Sequence, residues 1–173
     1  MGSFLSITAD SLGTSPIHRA VYVMDNFLGI HPAPPPADVK ITEPDVRTAR
    51  TIREVLEAHR SNKTCSSCHQ SIDPYGYAFE NFDPVGAWRD KYMARLSQPS
   101  RASKRTAKPQ GIPIDASANF ASGFEYNDIT GFRKFMQTPA NRDRFVRCFI
   151  THLLTYANGA EPNNYLEIEK ILQ

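Results

Sequence analysis

The stretch Cys65-Ser66-Ser67-Cys68-His69 decides how the rest of this 173-residue sequence is interpreted. Two cysteines three positions apart, with a histidine directly after the second, form the attachment signature of c-type haem. On a helical turn both cysteines share one face, so both thiols can reach the two vinyl groups at one edge of a porphyrin. The histidine can then offer an imidazole nitrogen to the iron. The pattern predicts one covalent haem c, held by Cys65 and Cys68, with His69 as the proximal iron ligand.

Other chemistries also use a pair of cysteines at this spacing. Zinc usually needs four protein ligands, often as two separated pairs, and the only further cysteine is Cys148. A zinc site made from Cys65, Cys68, Cys148 and a histidine stays an alternative. A redox dithiol of the thioredoxin type belongs in a βαβ pattern, which is not visible here. A structural disulfide between Cys65 and Cys68 is the remaining alternative, and the adjacent histidine favours haem over all of them.

Composition fits a soluble globular chain without a membrane-spanning segment. Hydrophobic residues make up 40% and charged residues 22%, with a formal net charge of +2 at pH 7. That charge gives no general argument for binding nucleic acid or a membrane surface, and no apolar run approaches the length of a transmembrane helix. The 13 prolines and the weak strand patterning predict long irregular loops. The helical periodicities described below predict a mainly α fold.

The N-terminus bears on where the protein works. Met1 to Leu12 have neither the basic start nor the continuous apolar run of a signal peptide. Haem c is nevertheless attached outside the cytoplasm. We therefore expect a periplasmic or extracellular bacterial protein whose signal was removed, or a piece of a longer exported precursor.

The N-terminal part is predicted to be an arm attached to the haem domain. Apolar periodicity predicts a helix that opens at Pro16 and stops at Gly29. The proline run at residues 31–36 predicts polyproline II, interpreted as a stiff strap across the domain, with a docking ligand as the alternative. We expect residues 1–40 to form this arm and residues 41–173 the haem domain.

A second predicted helix precedes the haem motif. Thr42 resembles a helix cap, with Pro44 and Asp45 in the first turn, and the helix is expected to run to about Arg60. On that helix His59 shares the apolar face. A histidine in this position is usually a hydrogen-bonded core residue, but six residues before Cys65 it can also reach the haem. It is our candidate for the sixth iron ligand.

The segment from Ile72 to Arg89, after the motif, is dense in aromatic and turn residues. It is interpreted as a small aromatic cluster, as the wall of a haem pocket, or as both. Trp88 and Arg89 are candidate haem contacts there, because a guanidinium group suits the carboxylate of a haem propionate.

The next segment is basic and is followed by turn signals. Residues 95–110 contain five basic residues and no acidic one, which predicts a solvated loop or a surface that docks an acidic partner.

A short β-hairpin is predicted around residues 121–123, with residues 112–115 and 124–126 as its arms.

The C-terminal part predicts two helices. Asp128 can cap a helix through Met136, and Thr138 begins another that ends at Gly159. Met136 and His152 are alternative iron ligands, each also explained by packing alone. One face of the second helix carries Phe145, Cys148, Phe149, His152, Leu153 and Tyr156.

Several motifs together carry a family resemblance over nearly the whole chain. They run from Thr14 to Arg19, Leu28 to Pro36, Leu56 to Arg60, Cys65 to His69, Ile72 to Gly76, Phe79 to Asp83, Trp88 to Arg89, Ile114 to Ser117 and Leu153 to Ala157. With these motifs the chain resembles the cytochrome-c-like C-terminal module of large exported planctomycete-type proteins. That resemblance implies a cytochrome-c-like helical core around one haem, attached at Cys65 and Cys68 with His69 as proximal ligand. It also supports His59 as the candidate sixth ligand, because the family pattern has a histidine at that place.

These expectations define a function. We expect a monohaem c-type cytochrome that transfers electrons outside the cytoplasm, as a subunit or module of a larger assembly with a redox partner protein. The alternative is a structural or docking subunit in which the haem mainly stabilises the fold. A pentacoordinate haem enzyme ranks last, because nothing in the sequence supplies a distal acid–base pair, and we therefore assign no catalytic residue.

Overall fold

The computed structural model describes residues 2–10, 13–34, 51–60, 63–92, 111–162 and 165–172. Within these ranges the chain is mainly helical, as predicted. Two 3₁₀ turns, η1 (Asp73–Tyr75) and η2 (Tyr77–Phe79), follow the motif-bearing helix directly. The α-helices are α1 (Gly2–Ile7), α2 (Pro16–Leu28), α3 (Ile52–His59), α4 (Lys63–Ile72), α5 (Ile129–Met136), α6 (Pro139–Asn158) and α7 (Tyr165–Leu172).

Helix ends follow local capping chemistry. The Ser15 side chain accepts a hydrogen bond from a backbone N–H in the first turn of α2, and Gly29 ends that helix in the left-handed conformation with φ 59°. Asp128 caps α5 in the same way as Ser15 caps α2, and Gly159 ends α6 with φ 71°. The boundaries predicted for these three helices are confirmed.

The helix before the motif begins later than predicted. Thr51, rather than Thr42, is the cap of α3, because its side chain accepts the backbone N–H of Glu54. Residues 35–50 lie outside the described residues, and with them the predicted start at Thr42, part of the proline run and the boundary at residue 40. The basic segment at residues 95–110 also lies outside them.

Short strands form three antiparallel pairs within the described ranges. The hairpin predicted around residues 121–123 is present, but one of its predicted arms was wrong. Ile112–Pro113 pairs with Lys91–Tyr92, and Ala118–Asn119 pairs with Glu125–Tyr126 instead. Gly123, with φ 84°, donates its N–H to the Phe120 carbonyl, and this tight turn selects the nearer segment as partner. The strands are β1 (Ala9–Asp10), β2 (Gly13–Thr14), β3 (Lys91–Tyr92), β4 (Ile112–Pro113), β5 (Ala118–Asn119) and β6 (Glu125–Tyr126).

An aromatic core joins the N-terminal helices α1 and α2 and the segment from Phe120 to Phe135 to the segment after the motif. Phe120 and Phe135 stack with ring centroids 3.9 Å apart. The Tyr126 hydroxyl donates to the Pro74 carbonyl at 2.5 Å and accepts the Ala78 N–H at 3.2 Å. The buried members are Phe4, Leu5, Val23, Leu28, Ala78, Phe79, Phe120, Tyr126, Phe132 and Phe135.

A buried charged network fastens α2 to the chain beyond η2. Arg19 is fully buried and donates to backbone carbonyls within residues 79–83, with Glu80 3.6 Å away. The Glu80 carboxylate accepts the hydroxyl hydrogens of Thr14 and Tyr92. Burial is the largest influence on both charged groups, and it raises the pKa of Glu80 and lowers that of Arg19. No helix in the described part of the chain is long and apolar enough to cross a membrane.

Candidate functional site

The predicted motif lies on α4, so its residues are fixed to one another by helical geometry. Cys65 and Cys68 are i and i+3 on this helix and therefore share a face. Both are free thiols; Cys65 is partly exposed and Cys68 is exposed. The two sulfur atoms are therefore accessible from one side of the helix.

His69, on the same helix, is oriented by a carboxylate. Its Nδ1 lies 2.8 Å from Oδ1 of Asp73, one helical turn further on, and the His69 side chain is 18% exposed. A carboxylate oxygen that accepts this hydrogen bond requires a hydrogen on Nδ1, and a neutral His69 bonded in this way keeps the lone pair of Nε2. A lone pair on one ring nitrogen with a carboxylate on the other is the usual arrangement of a metal-ligating histidine.

Asp73 is fully buried and binds three side chains from different elements. Besides accepting from His69, its Oδ2 accepts the Tyr77 hydroxyl at 3.3 Å and lies 3.6 Å from a guanidinium nitrogen of Arg60, which ends α3. Burial and then the Asp73 charge raise the pKa of Tyr77, so its phenol stays a donor. Asp73 therefore connects α3, α4 and the 3₁₀ turns.

The three candidates for a sixth ligand lie in different surroundings. The His59 ring, at the end of α3, packs edge-to-face on His69 with centroids 5.0 Å apart and an interplanar angle of 72°. Met136 ends α5 and packs against the aromatic core, whereas His152 is exposed on α6. In the described part of the chain, His59 is the candidate brought into contact with the motif.

The helix that carries His59 has an incompletely buried apolar face. Ile52, Val55 and Leu56 are all only partly covered, and α3 buries no residue. Arg53 fastens the helix by donating to two backbone carbonyls within residues 115–117. A half-covered apolar face, accessible thiols and an available imidazole nitrogen fit the vinyl groups, apolar ring and iron of a haem.

The predicted haem contacts Trp88 and Arg89 already have protein partners. Arg89 donates to the Thr14 hydroxyl at 2.8 Å and to the Glu80 carbonyl at 3.1 Å. The Trp88 indole is 51% exposed and donates to Asp90 at 2.9 Å. Their role toward a haem therefore stays a prediction.

The zinc alternative required Cys148 near the motif. Cys148 is buried on α6, where its thiol donates to the Asp25 carbonyl of α2, and burial raises its pKa. Over the described ranges, no three His, Cys, Asp or Glu side chains are grouped so that they could hold a metal ion. The described residues thus give a four-ligand zinc site no support.

Sequence reasoning missed the partners that orient His69. Asp73 follows His69 by four residues, and extending the helical turn predicted at the motif by one more turn would have indicated that the two side chains meet. Tyr77 follows Asp73 by the same spacing of four residues. Arg60 carried no such local signal, because it reaches Asp73 only through the packing of α3.

Comparison with known proteins gives one family. The family model PSCyt3, described as "Protein of unknown function (DUF1588)", matches residues 1–92, more than half of the chain. It represents planctomycete cytochrome-c-like domains, and the matched region includes α1 to α4 and both 3₁₀ turns. No curated protein and no solved structure matches the chain. The predicted resemblance is confirmed at the level of the family, and haem attachment stays a prediction.

Proposed function

We propose that this chain, which belongs to the PSCyt3 family, is a monohaem c-type cytochrome that transfers electrons outside the cytoplasm. We also propose that it acts as a subunit or module of a larger assembly. The supporting observation is the arrangement on α4: two accessible thiols on one face and a histidine whose Nδ1 is held by Asp73. Haem c, when bound, would supply a one-electron iron couple.

Each residue of the motif would make a different bond to the haem. Cys65 and Cys68 would form the two thioethers, and His69 would offer Nε2 to the iron while Asp73 holds the opposite nitrogen. His59 would be the sixth ligand, since its ring already contacts His69. The two rings are in direct contact, so we expect α3 to shift when an iron is held between them.

Ligation by two histidines favours electron transfer over catalysis. An enzyme that binds a small molecule at its iron needs an open coordination position. His59 would fill that position, and the proposed site then has no place for a substrate on the metal. This argument depends on His59, which is tested separately below.

Intact-mass measurement after cell fractionation tests the attachment and the location together. We expect the exported fraction to contain protein with one added haem that survives denaturation. Cys65→Ser and Cys68→Ser should each remove one thioether, and the double variant should lose the covalent haem. Cys148→Ser is the matched control and should keep it, because Cys148 bonds to α2. An unmodified mass, a mass with zinc alone, or haem-loaded native protein in the cytosol would refute the proposal.

One surface favours the second candidate, a docking or structural subunit. The exposed apolar side chains of α6, between 41% and 90% exposed, are Phe145, Val146, Phe149, Leu153 and Tyr156. Exposed apolar patches of this kind often mark interaction sites. A reversible one-electron couple in voltammetry of the haem-loaded protein supports electron transfer. A haem that stabilises the fold but gives no reversible couple supports the structural role.

A further inference from the structure

We infer that Asp73 is a positioning residue that fixes the tautomer of His69 and shifts the haem iron toward its oxidised state. The inference rests on the proposed function for its haem, but the hydrogen bond itself belongs to this chain alone. It assigns Asp73 the tuning of the reduction potential.

The hydrogen bond is built to persist. His69 Nδ1 and Asp73 Oδ1 are 2.8 Å apart, four residues apart on one helical turn, and the Asp73 side chain has no exposed surface. Tyr77 and Arg60 hold the other carboxylate oxygen, so the side chain cannot rotate without breaking contacts to two further elements. A hydrogen bond to a charged acceptor, away from water, is among the stronger ones in proteins.

The bond has an electronic consequence for an axial ligand. A carboxylate that accepts the Nδ1 hydrogen draws it toward the oxygen and increases the electron density on the imidazole. This makes Nε2 a more basic ligand, and a more basic ligand stabilises ferric iron more than ferrous iron. The negative charge of the carboxylate acts in the same direction, whereas the Arg60 guanidinium opposes it in part.

A purely structural role for Asp73 predicts a different result. The same side chain connects α3, α4 and the 3₁₀ turns, so its loss should reduce stability under either hypothesis. Stability alone therefore does not separate them. The two hypotheses are separated by the direction in which the reduction potential changes in Asp73 and Arg60 variants. Arg60 belongs to the same cluster as Asp73 but carries the opposite charge, so the two changes should have opposite signs.

The test compares Asp73→Asn with Arg60→Met in the haem-loaded full chain. Asp73→Asn removes the charge with little change of shape, and we expect the reduced form to gain about tenfold or more over the oxidised form. For one electron, tenfold corresponds to a rise of about 59 mV. Arg60→Met removes the opposing cation and should lower the potential. Asp73→Glu should recover part of the wild-type value.

A second measurement reads the tautomer without haem. In the full chain with Cys65→Ser and Cys68→Ser, two-bond ¹⁵N–¹H spectra should show the neutral His69 ring protonated on Nδ1. Asp73→Leu in that background should release this preference.

The outcomes separate the failures. An unchanged potential in Asp73→Asn, a rise in both variants, or an Nε2-protonated His69 would overturn the inference. Wild-type protein without attached haem would instead defeat the proposed function and the potential shift, while the tautomer spectrum would still decide the His69–Asp73 bond.

Discussion

His59 is the residue on which the proposed axial ligation depends. Under the proposed ligation, replacing His59 with alanine in the haem-loaded protein would remove one of two strong-field imidazole ligands. We expect the low-spin optical and EPR spectra to be lost, or to return only when external imidazole is added. Two histidines should also give a lower potential than a histidine–methionine pair, because methionine raises it.

The controls for His59 are the two other candidates. Met136→Leu keeps a side chain that packs against the aromatic core, and His152→Ala changes an exposed residue on α6. Both variants should keep the wild-type spectrum. His59 is excluded if its alanine variant stays natively low-spin, and a near-infrared methionine–iron band in the wild type would assign Met136 instead.

Single residues show which parts of the site a sequence can predict. The motif residues follow from chemistry that is local in the chain, and Cys65, Cys68 and His69 could therefore be proposed from the sequence alone. Arg19 was noted only as part of a family motif, and its burial against backbone carbonyls 60 to 64 residues away was not predicted. A charged residue looks like a surface residue until its partners are known, because such residues are buried mainly when paired.

The junction of α2 with η1 depends on the absence of a side chain at Gly76. A Cβ at this position would overlap the backbone carbonyl of Pro16, which cannot move aside as a flexible side chain can. The Gly76 backbone has φ −108°, so space is the constraint and not conformation. We expect Gly76→Ala to lower the free energy of unfolding by about 3 kcal/mol, measured by urea denaturation.

Gly2→Ala is the matched control for this junction. Gly2 is the first residue of α1. A Cβ at this position would lie 3.7 Å from the Val85 carbonyl oxygen, which is an ordinary contact. The stability of this variant should stay within about 0.5 kcal/mol of the wild type. Equal effects of the two substitutions would refute the close-approach argument for Gly76.

Elements were predictable where their ends are encoded by neighbouring residues. Capping side chains and C-terminal glycines placed α2, α5 and α6 correctly. Strand pairing could not be predicted in this way, because the partner of Ile112–Pro113 is Lys91–Tyr92, about twenty residues earlier in the chain. Two-residue strands have too little periodicity to indicate a partner.

The whole molecule has an aromatic core that the motif does not form. Residues of α1, α2, η2 and the segment from Phe120 to Phe135 build it, whereas sequence reasoning centred the fold on the haem. Asp73, Arg53 and the two histidines hold the motif-bearing helix α4 and its neighbour α3. The core and the candidate site are therefore expected to respond differently to the loss of haem.

Hydrogen exchange on the full chain tests this division. We compare the haem-loaded wild type with the haem-free Cys65→Ser/Cys68→Ser variant. None of the residues of α3 is buried, so its amides should open readily without haem. Haem contacts should slow their exchange about tenfold or more, which corresponds to about 1.4 kcal/mol of local stability.

The control in this experiment is α5, which buries Phe132 and Phe135 in the aromatic core. Its exchange should change little, because that core is formed by the protein alone. If His59 anchors α3 by binding the iron, His59→Ala in the haem-loaded protein should raise the amide exchange rates of α3 toward those of the haem-free variant. The exchange rates of α5 should stay unchanged. Equal exchange of α3 with and without haem would contradict its proposed contact with the haem. Equal slowing of α3 and α5 would mean that the haem stabilises the whole fold, which is the structural alternative.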